Sequence, residues 1–399
     1  MAALKCRSCH SSDLAPVLDL GAVPLVNNLL RCRDDECERY PLRVVFCRAC
    51  TLSQLTETVS PRVLFDDYRY FSAQSQTMLA HAAALVERFV EPGQRVCEIA
   101  SNDGYLLRHA LERGATVLGV DPARNVADHA IASGIPTRCD YFNSAVAQEI
   151  ARDWGRPDVM FACNVLAHVP DPNEIAEGIA RLLAPDGVAH VEVPWIGSLV
   201  RDGAFDTIYH EHYSYFSVAA LRALFSRHAL KMTAIDLMPI HGGSLHIQLR
   251  RERGEDAEIE QWLRRERESG LCDGSFASRL ADRVALVREG VHDLIHRHGQ
   301  IGGFGAAAKA TVLLNVLGLG RDQVPWVADV SPHKQGWFIP GTLQEVVRPD
   351  RLTEAQPRAC LIFPWNIADE IARRNPLYLE RGGRFFVAVP ALREVGAPS

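Results

Sequence analysis

Residues 96–104 read Val96-Cys97-Glu98-Ile99-Ala100-Ser101-Asn102-Asp103-Gly104. A short apolar run enters a turn of small and polar residues. The next stretch, YLLRHALERG at 105–114, has helical spacing and a glycine stop. TVLGV (116–120) then ends in Asp121, 17 residues after Gly104. Strand, turn, helix and strand in this order open a parallel α/β sheet.

Working outward, an amphipathic helix over about residues 77–90 leads into the first strand. Further alternation follows: a helix after Pro122, the strand DVMFACNVL, a helix after Asp171, and the strand GVAHVEVPW. This predicts a doubly wound, class I (Rossmann-like) sheet over 66–253. Residues 254–299 are charge-rich with helical spacing and read as a helical connector with a solvated face. A second strand–turn–helix unit, IGGFGAAAKATVLLNVLG, is followed by the strands VPWVADVS, ACLIFPWN and RFFVAVP. Residues 300–399 therefore read as a smaller Rossmann-like α/β domain.

Residues 1–65 carry Cys6-Arg7-Ser8-Cys9 and Cys47-Arg48-Ala49-Cys50, two CxxC knuckles with 37 residues between them. Each knuckle turns two thiolates toward one ion, and four thiolates complete a tetrahedral zinc site with no open position. The zinc is therefore expected to be structural, with ligands Cys6, Cys9, Cys47 and Cys50. It would staple a segment too thin to build its own core. Cys32 and Cys37 are more loosely spaced and read as free thiols.

With a formal charge of -6, 47% hydrophobic and 23% charged residues, the chain has a globular composition and no broad basic field, which argues against nucleic acid. The N-terminus lacks an apolar signal core, and no run is long enough to span a membrane. A cytoplasmic protein is expected.

The turn at 100–104 discriminates between cofactors. Asp103 would face phosphate oxygens in a dinucleotide site, whereas a carboxylate suits a sulfonium cofactor with a cationic amino-acid tail, S-adenosylmethionine. Glu98, Ala100, Asn102 and Gly104 then line the cofactor. Asp121 accepts from the ribose, Asp140 and Phe142 frame the adenine, and Asn164 ends the fourth strand beside the methionine end.

Phe205-Asp206-Thr207-Ile208-Tyr209-His210-Glu211-His212-Tyr213-Ser214-Tyr215-Phe216-Ser217 looks like a Tyr-x-Glu-His signature. With Asn164–Pro170, His241-Gly242-Gly243, the turn at 303–309 and Phe363-Pro364-Trp365-Asn366, the chain resembles the sugar C-methyltransferases of deoxysugar biosynthesis over nearly its whole length. Ala100 departs from the glycine common in that superfamily's turn.

The resemblance implies methylation of the carbon alpha to the ketone of a nucleotide-linked 4-keto-deoxysugar, at carbon 3, in antibiotic biosynthesis. Such chemistry needs a base for the alpha proton and donors facing an enolate oxygen. By analogy His212 is the base, Glu211 binds or orients the substrate, and Tyr209, His168 and Tyr70 are donors. His210 or His212 capping the helix that follows is the bland alternative.

Gly303-Phe304-Gly305-Ala306-Ala307-Ala308 fits a G-x-G-x-x-A dinucleotide fingerprint with Asp329 ending the next strand, which alone would suggest an NAD-dependent nucleotide-sugar reductase. In the family resembled, this domain contributes to the sugar-nucleotide site. Lys309 and Lys334 would neutralise the diphosphate, with His241, Trp365 and Asn366 also on substrate. A C-methyltransferase acting on a non-sugar ketone remains the other alternative. No motif names the sugar, the nucleotide base or the oligomeric state.

Overall fold

The computed structural model describes residues 4–66, 71–240, 242–251 and 257–396. Tyr70 and His241, both expected at the site, lie outside the described residues.

In the N-terminal module, β1 (Leu14–Pro24), β2 (Arg39–Cys47) and β3 (Ser53–Leu55) form an antiparallel meander. Alternate residues Leu42, Val44 and Phe46 of β2 are buried, as a half-covered antiparallel strand requires. They share one apolar cluster with Phe276, Leu280, Val284 and Val287 and with the C-terminal sheet. The module thus shares its core with the long connector helix and the C-terminal sheet.

The central sheet contains β4 (Arg95–Ile99), β5 (Thr116–Asp121), β6 (Thr137–Cys139), β7 (Val159–Cys163) and β8 (Val188–Pro194), all parallel. The chain then leaves it. β9 (Ser214–Tyr215) pairs with β3 and becomes the fourth strand of the N-terminal sheet. It returns as β10 (Leu230–Met238) and β11 (Ser244–Arg251), antiparallel to each other and to β8. The order is β10-β11-β8-β7-β4-β5-β6, so the sheet is mixed where a wholly parallel one was expected. The reason is local: Gly242 and Gly243, at φ +87 and +111, make the turn of a hairpin.

The connector forms the helices Ala257–Glu268 and Phe276–His298. The longer one buries Phe276, Leu280, Val284, Val287, Val291 and Leu294 at helical spacing. The shorter one is not simply a solvated face. Glu266 is 0% exposed and accepts hydrogen bonds from Trp195 Nε1 (2.7 Å), Val218 N (2.7 Å) and Ala219 N (3.0 Å).

The C-terminal sheet comprises β12 (Gly302–Phe304), β13 (Trp326–Ala328), β14 (Glu345–Val347), β15 (Ala359–Ile362), β16 (Arg384–Val387) and β17 (Arg393–Val395), in the order β14-β13-β12-β15-β16-β17. Strand order reverses between β4 and β7 in the central sheet and between β12 and β15 here. Each reversal opens a crevice at the carboxyl ends of the strands, where ligands bind in such sheets. No helix among the described residues is long and apolar enough to cross a membrane.

Candidate active site

The turn after β4 is held in conformations that side chains rarely adopt: φ is +56 at Ala100 and +50 at Asn102. Strain of this kind gathers where a backbone must approach a ligand. Ala100 therefore keeps the backbone that a glycine would favour, and supplies it without one. Gly104 has φ +77, and a Cβ there would fall 2.9 Å from Ile135 Cγ1. Asp121 pins the turn, accepting from Asn102 N and Ala123 N, both at 2.9 Å. Each of its oxygens retains a second lone pair for a ribose hydroxyl.

Glu98, the penultimate residue of β4, is 1% exposed, and neither carboxylate oxygen has a hydrogen-bond partner among the described residues. Burial, then the carboxylates of Asp121, Asp103 and Glu192, lift its pKa well above the usual range. Asn164, just beyond β7, has φ +55 and a buried, unpartnered Oδ1. Two orphaned acceptors at the switch point fit a ligand bearing an ammonium group, as S-adenosylmethionine does. Among the other residues expected here, Asp140 is half-exposed and paired with Arg138 at 2.9 Å. Phe142 is buried against the helix Pro172–Leu182, where a Cβ on Gly178 would sit 2.4 Å from its ring. Its visible work is packing.

The four cysteine sulfurs of the two knuckles lie within 4.8 Å of one another, with Cys6–Cys50 and Cys9–Cys47 at 3.5 Å. The set is mostly buried and all-cysteine, which fits a closed structural zinc site.

The loop between the helix Ile196–Asp202 and β9 brings the candidate catalytic residues together. His212 Nδ1 is 3.0 Å from Thr207 O. A carbonyl only accepts, so Nδ1 carries the proton and the neutral ring has its lone pair on Nε2. The His212 ring lies 4.1 Å from that of Tyr209 and 4.7 Å from that of His168, centroid to centroid. The helix-capping alternative is overturned, because Ser217 itself caps the helix Val218–Arg227 through Ala220 N. His210 turns away to Pro41 O at 3.3 Å and packs beside Tyr40.

Glu211 is 5% exposed and accepts from Asn27 Nδ2 at 2.6 Å. Burial pushes its pKa up to about 7, against the opposing hydrogen bond. Asn27 was not anticipated, since nothing in the apolar stretch 25–30 marks it. Nor was Asp206, which is fully buried, accepts from Trp365 Nε1 at 2.9 Å, and is raised to about 6 by burial despite the charge of Lys309.

Lys309 stands 3.9 Å over the Trp365 ring and donates to Asn366 Oδ1 at 3.1 Å. These three residues form one group at the β12–β15 crevice, and a Cβ at Gly242 would lie 3.7 Å from Trp365. Lys334 is apart from them, donating to Ala306 O at 2.9 Å. Asp329 accepts from Ala306 N (2.7 Å) and Ser331 N (2.8 Å), the same bracing that Asp121 gives the first turn.

A doubly wound sheet with a strained turn after its first strand and orphaned acceptors beside it fits a class I methyltransferase dependent on S-adenosylmethionine. Residues 73–235 match the family model "Methyltransferase domain", 239–390 match "C-methyltransferase C-terminal domain", and 6–65 match "Putative zinc binding domain". The chain is 35% identical to C-methyltransferase NovU of Streptomyces niveus over 410 residues, covering 99% of this chain and 97% of that one. It belongs to this family of C-methyltransferases. A shorter match, 33% over 99 residues, relates it to the ubiquinone biosynthesis O-methyltransferase of Escherichia coli K12 (24% of this chain, 40% of that one). Among solved structures, magnesium protoporphyrin IX methyltransferase from Synechocystis PCC 6803 aligns at 16% identity and TM-score 0.35, over 44% of this chain and 83% of that one.

Proposed function

We propose that this enzyme methylates the carbon alpha to the ketone of a nucleotide-linked 4-keto-deoxysugar, at carbon 3, through an enolate. The observation that carries the reading is the His212–Thr207 hydrogen bond, which presents Nε2 as the basic nitrogen.

His212 Nε2 takes the alpha proton, and the electron pair of the broken C–H bond moves onto the ketone oxygen. Tyr209 and His168, whose rings flank His212, donate to that oxygen; Tyr70 is assigned the same task from the sequence. Glu211, poised near neutrality, orients the sugar. Glu98, Asn102, Asp121 and Asn164 hold the cofactor, which when bound supplies an electrophilic methyl group for the enolate carbon. Lys309, with Trp365 and Asn366, takes the diphosphate at the C-terminal crevice, and zinc is structural.

Incubation with S-adenosylmethionine and a panel of nucleotide 4-ketosugars, followed by mass measurement, tests this. A gain of one methyl on a ketosugar is expected. Methylation confined to sugar-free ketones would establish the alternative substrate class.

A further inference from the structure

Arg7 lies between the two thiols of the first knuckle, yet its guanidinium reaches inward. Nη2 donates to Glu57 O at 3.0 Å, to Thr58 Oγ1 at 2.7 Å and to Leu55 O at 3.4 Å. Nη1 donates to Pro170 O at 3.2 Å, and Cζ sits 5.2 Å from the Tyr213 ring centroid. The knuckle fixes where this side chain starts, through Cys6 N to Ser11 O at 2.8 Å and His10 N to Cys6 O at 2.9 Å. Arg7 N adds a bond to Gln54 Oε1 at 2.7 Å.

The two far partners belong to the two segments that carry the candidate histidines. Pro170 comes two residues after His168, and Tyr213 directly follows His212. Those segments meet through Tyr213 N, which donates to Ala167 O at 2.8 Å. Tyr213 is anchored in turn by its hydroxyl, which donates to Val59 O at 2.5 Å, and by its carbonyl, which accepts from Leu55 N at 2.9 Å. A planar fork of five donors suits this place: it bonds carbonyls on two sides while its face covers a ring. An ammonium has the charge without that reach.

We propose that Arg7 is a positioning residue for methyl transfer, setting the spacing of His168 and His212, and that the zinc knuckle acts on catalysis through it. This rests on reading those histidines as the groups that handle the proton and the enolate oxygen.

The test compares Arg7→Lys and Arg7→Gln with His212→Asn in the full-length protein. Zinc per chain is measured by metal analysis, cofactor affinity by calorimetry with S-adenosylhomocysteine, and kcat and KM separately. Exchange of deuterium from the substrate's alpha carbon is followed by mass. Zinc, cofactor affinity and KM are expected to stay near wild type in both Arg7 variants. Turnover should fall by about 10- to 100-fold, the scale of a misplaced reacting group. Alpha-deuterium exchange should fall with it, and Lys should retain more activity than Gln. Should the Gln variant fail to fold, Arg7→Lys decides the matter by the same readouts. Wild-type kcat in zinc-loaded Arg7→Lys while His212→Asn is inactive overturns this proposal alone. So does a loss of turnover that merely tracks lost zinc. Wild-type turnover in His212→Asn overturns the catalytic reading and this inference with it.

Discussion

Trp365 donates its indole N–H to Asp206 Oδ2 at 2.9 Å, joining the crevice of the C-terminal sheet to the loop that carries His212. The residue after Asp206, Thr207, provides the carbonyl that fixes the His212 tautomer. The residues proposed to hold the diphosphate, Lys309, Trp365 and Asn366, are therefore linked through Asp206 to the peptide unit that anchors the proposed base.

Trp365→Phe keeps a ring beneath Lys309 and removes the donor. Asp206, whose Oδ1 already has no partner among the described residues, is then left buried with neither oxygen bonded. An unmade bond of this kind costs about 1–3 kcal/mol. The melting temperature should fall, and kcat/KM should drop by more than the change in cofactor affinity. Equal melting curves and equal kcat/KM would mean that the contact carries neither stability nor positioning.

Glu211 yields a pH prediction. Its folded pKa of about 7 exceeds the ordinary value of 4.5, so between those limits the native state holds a proton that the unfolded chain has released. Stability contributed by this group is lost as pH rises through that window, by about 3 kcal/mol in order of magnitude once complete. Glu211→Gln removes the titration. The difference in melting temperature, variant minus wild type, should be small near pH 4.5 and grow toward pH 8. A difference independent of pH would contradict it.

Cofactor binding should expel a proton. Glu98 is held above the usual carboxylate range by burial and by neighbouring carboxylates, and a cationic amino group beside it favours the anion. The affinity for S-adenosylhomocysteine should therefore rise with pH across the window between the free and bound pKa values. Calorimetric heats should differ between phosphate and Tris buffers, and Glu98→Gln should abolish the difference. Identical heats for the wild type in both buffers would place the amino group elsewhere.

Zinc removal should reach the loop that carries His212. β9 is a strand of the N-terminal sheet, and Leu55 N donates to Tyr213 O at 2.9 Å. Cys47→Ser, or a chelator, should release zinc from a wild-type content of about one per chain. Residues around 204–217 should then gain fast amide exchange along with the module, while the strands β4 to β7 stay protected. Loop protection that survives complete zinc loss would contradict the coupling.

Much of this was legible in the sequence, because it lies in periodic or closely spaced residues. The run from Val96 to Asp121 sets out β4, the strained turn and β5. The knuckles show their ligands by spacing alone, and Tyr209 to His212 stand together in four residues. What escaped is long-range. Asn27 and Glu211 are 184 residues apart, and Arg7 and Pro170 are 163 apart. A single hydrogen bond across such a distance leaves no periodic trace. Glu266 was read with its charged neighbours as solvated, because its three buried donors come from elsewhere in the chain. The β10–β11 hairpin was missed because Gly242-Gly243 was read for chemistry, whereas its positive φ angles make a turn.

His212 Nε2 is proposed to remove the alpha proton. The most direct test of this step is exchange at the substrate's alpha carbon, with a deuterated ketosugar and S-adenosylhomocysteine in place of the methyl donor. Wild-type enzyme should wash deuterium into solvent. His212→Asn keeps similar bulk but accepts no proton at neutral pH, so exchange should fall by about 10²–10⁴ while ligand affinities change by less than about 1 kcal/mol. Exchange at the wild-type rate in His212→Asn would contradict the account and move the base to His168 or Tyr209.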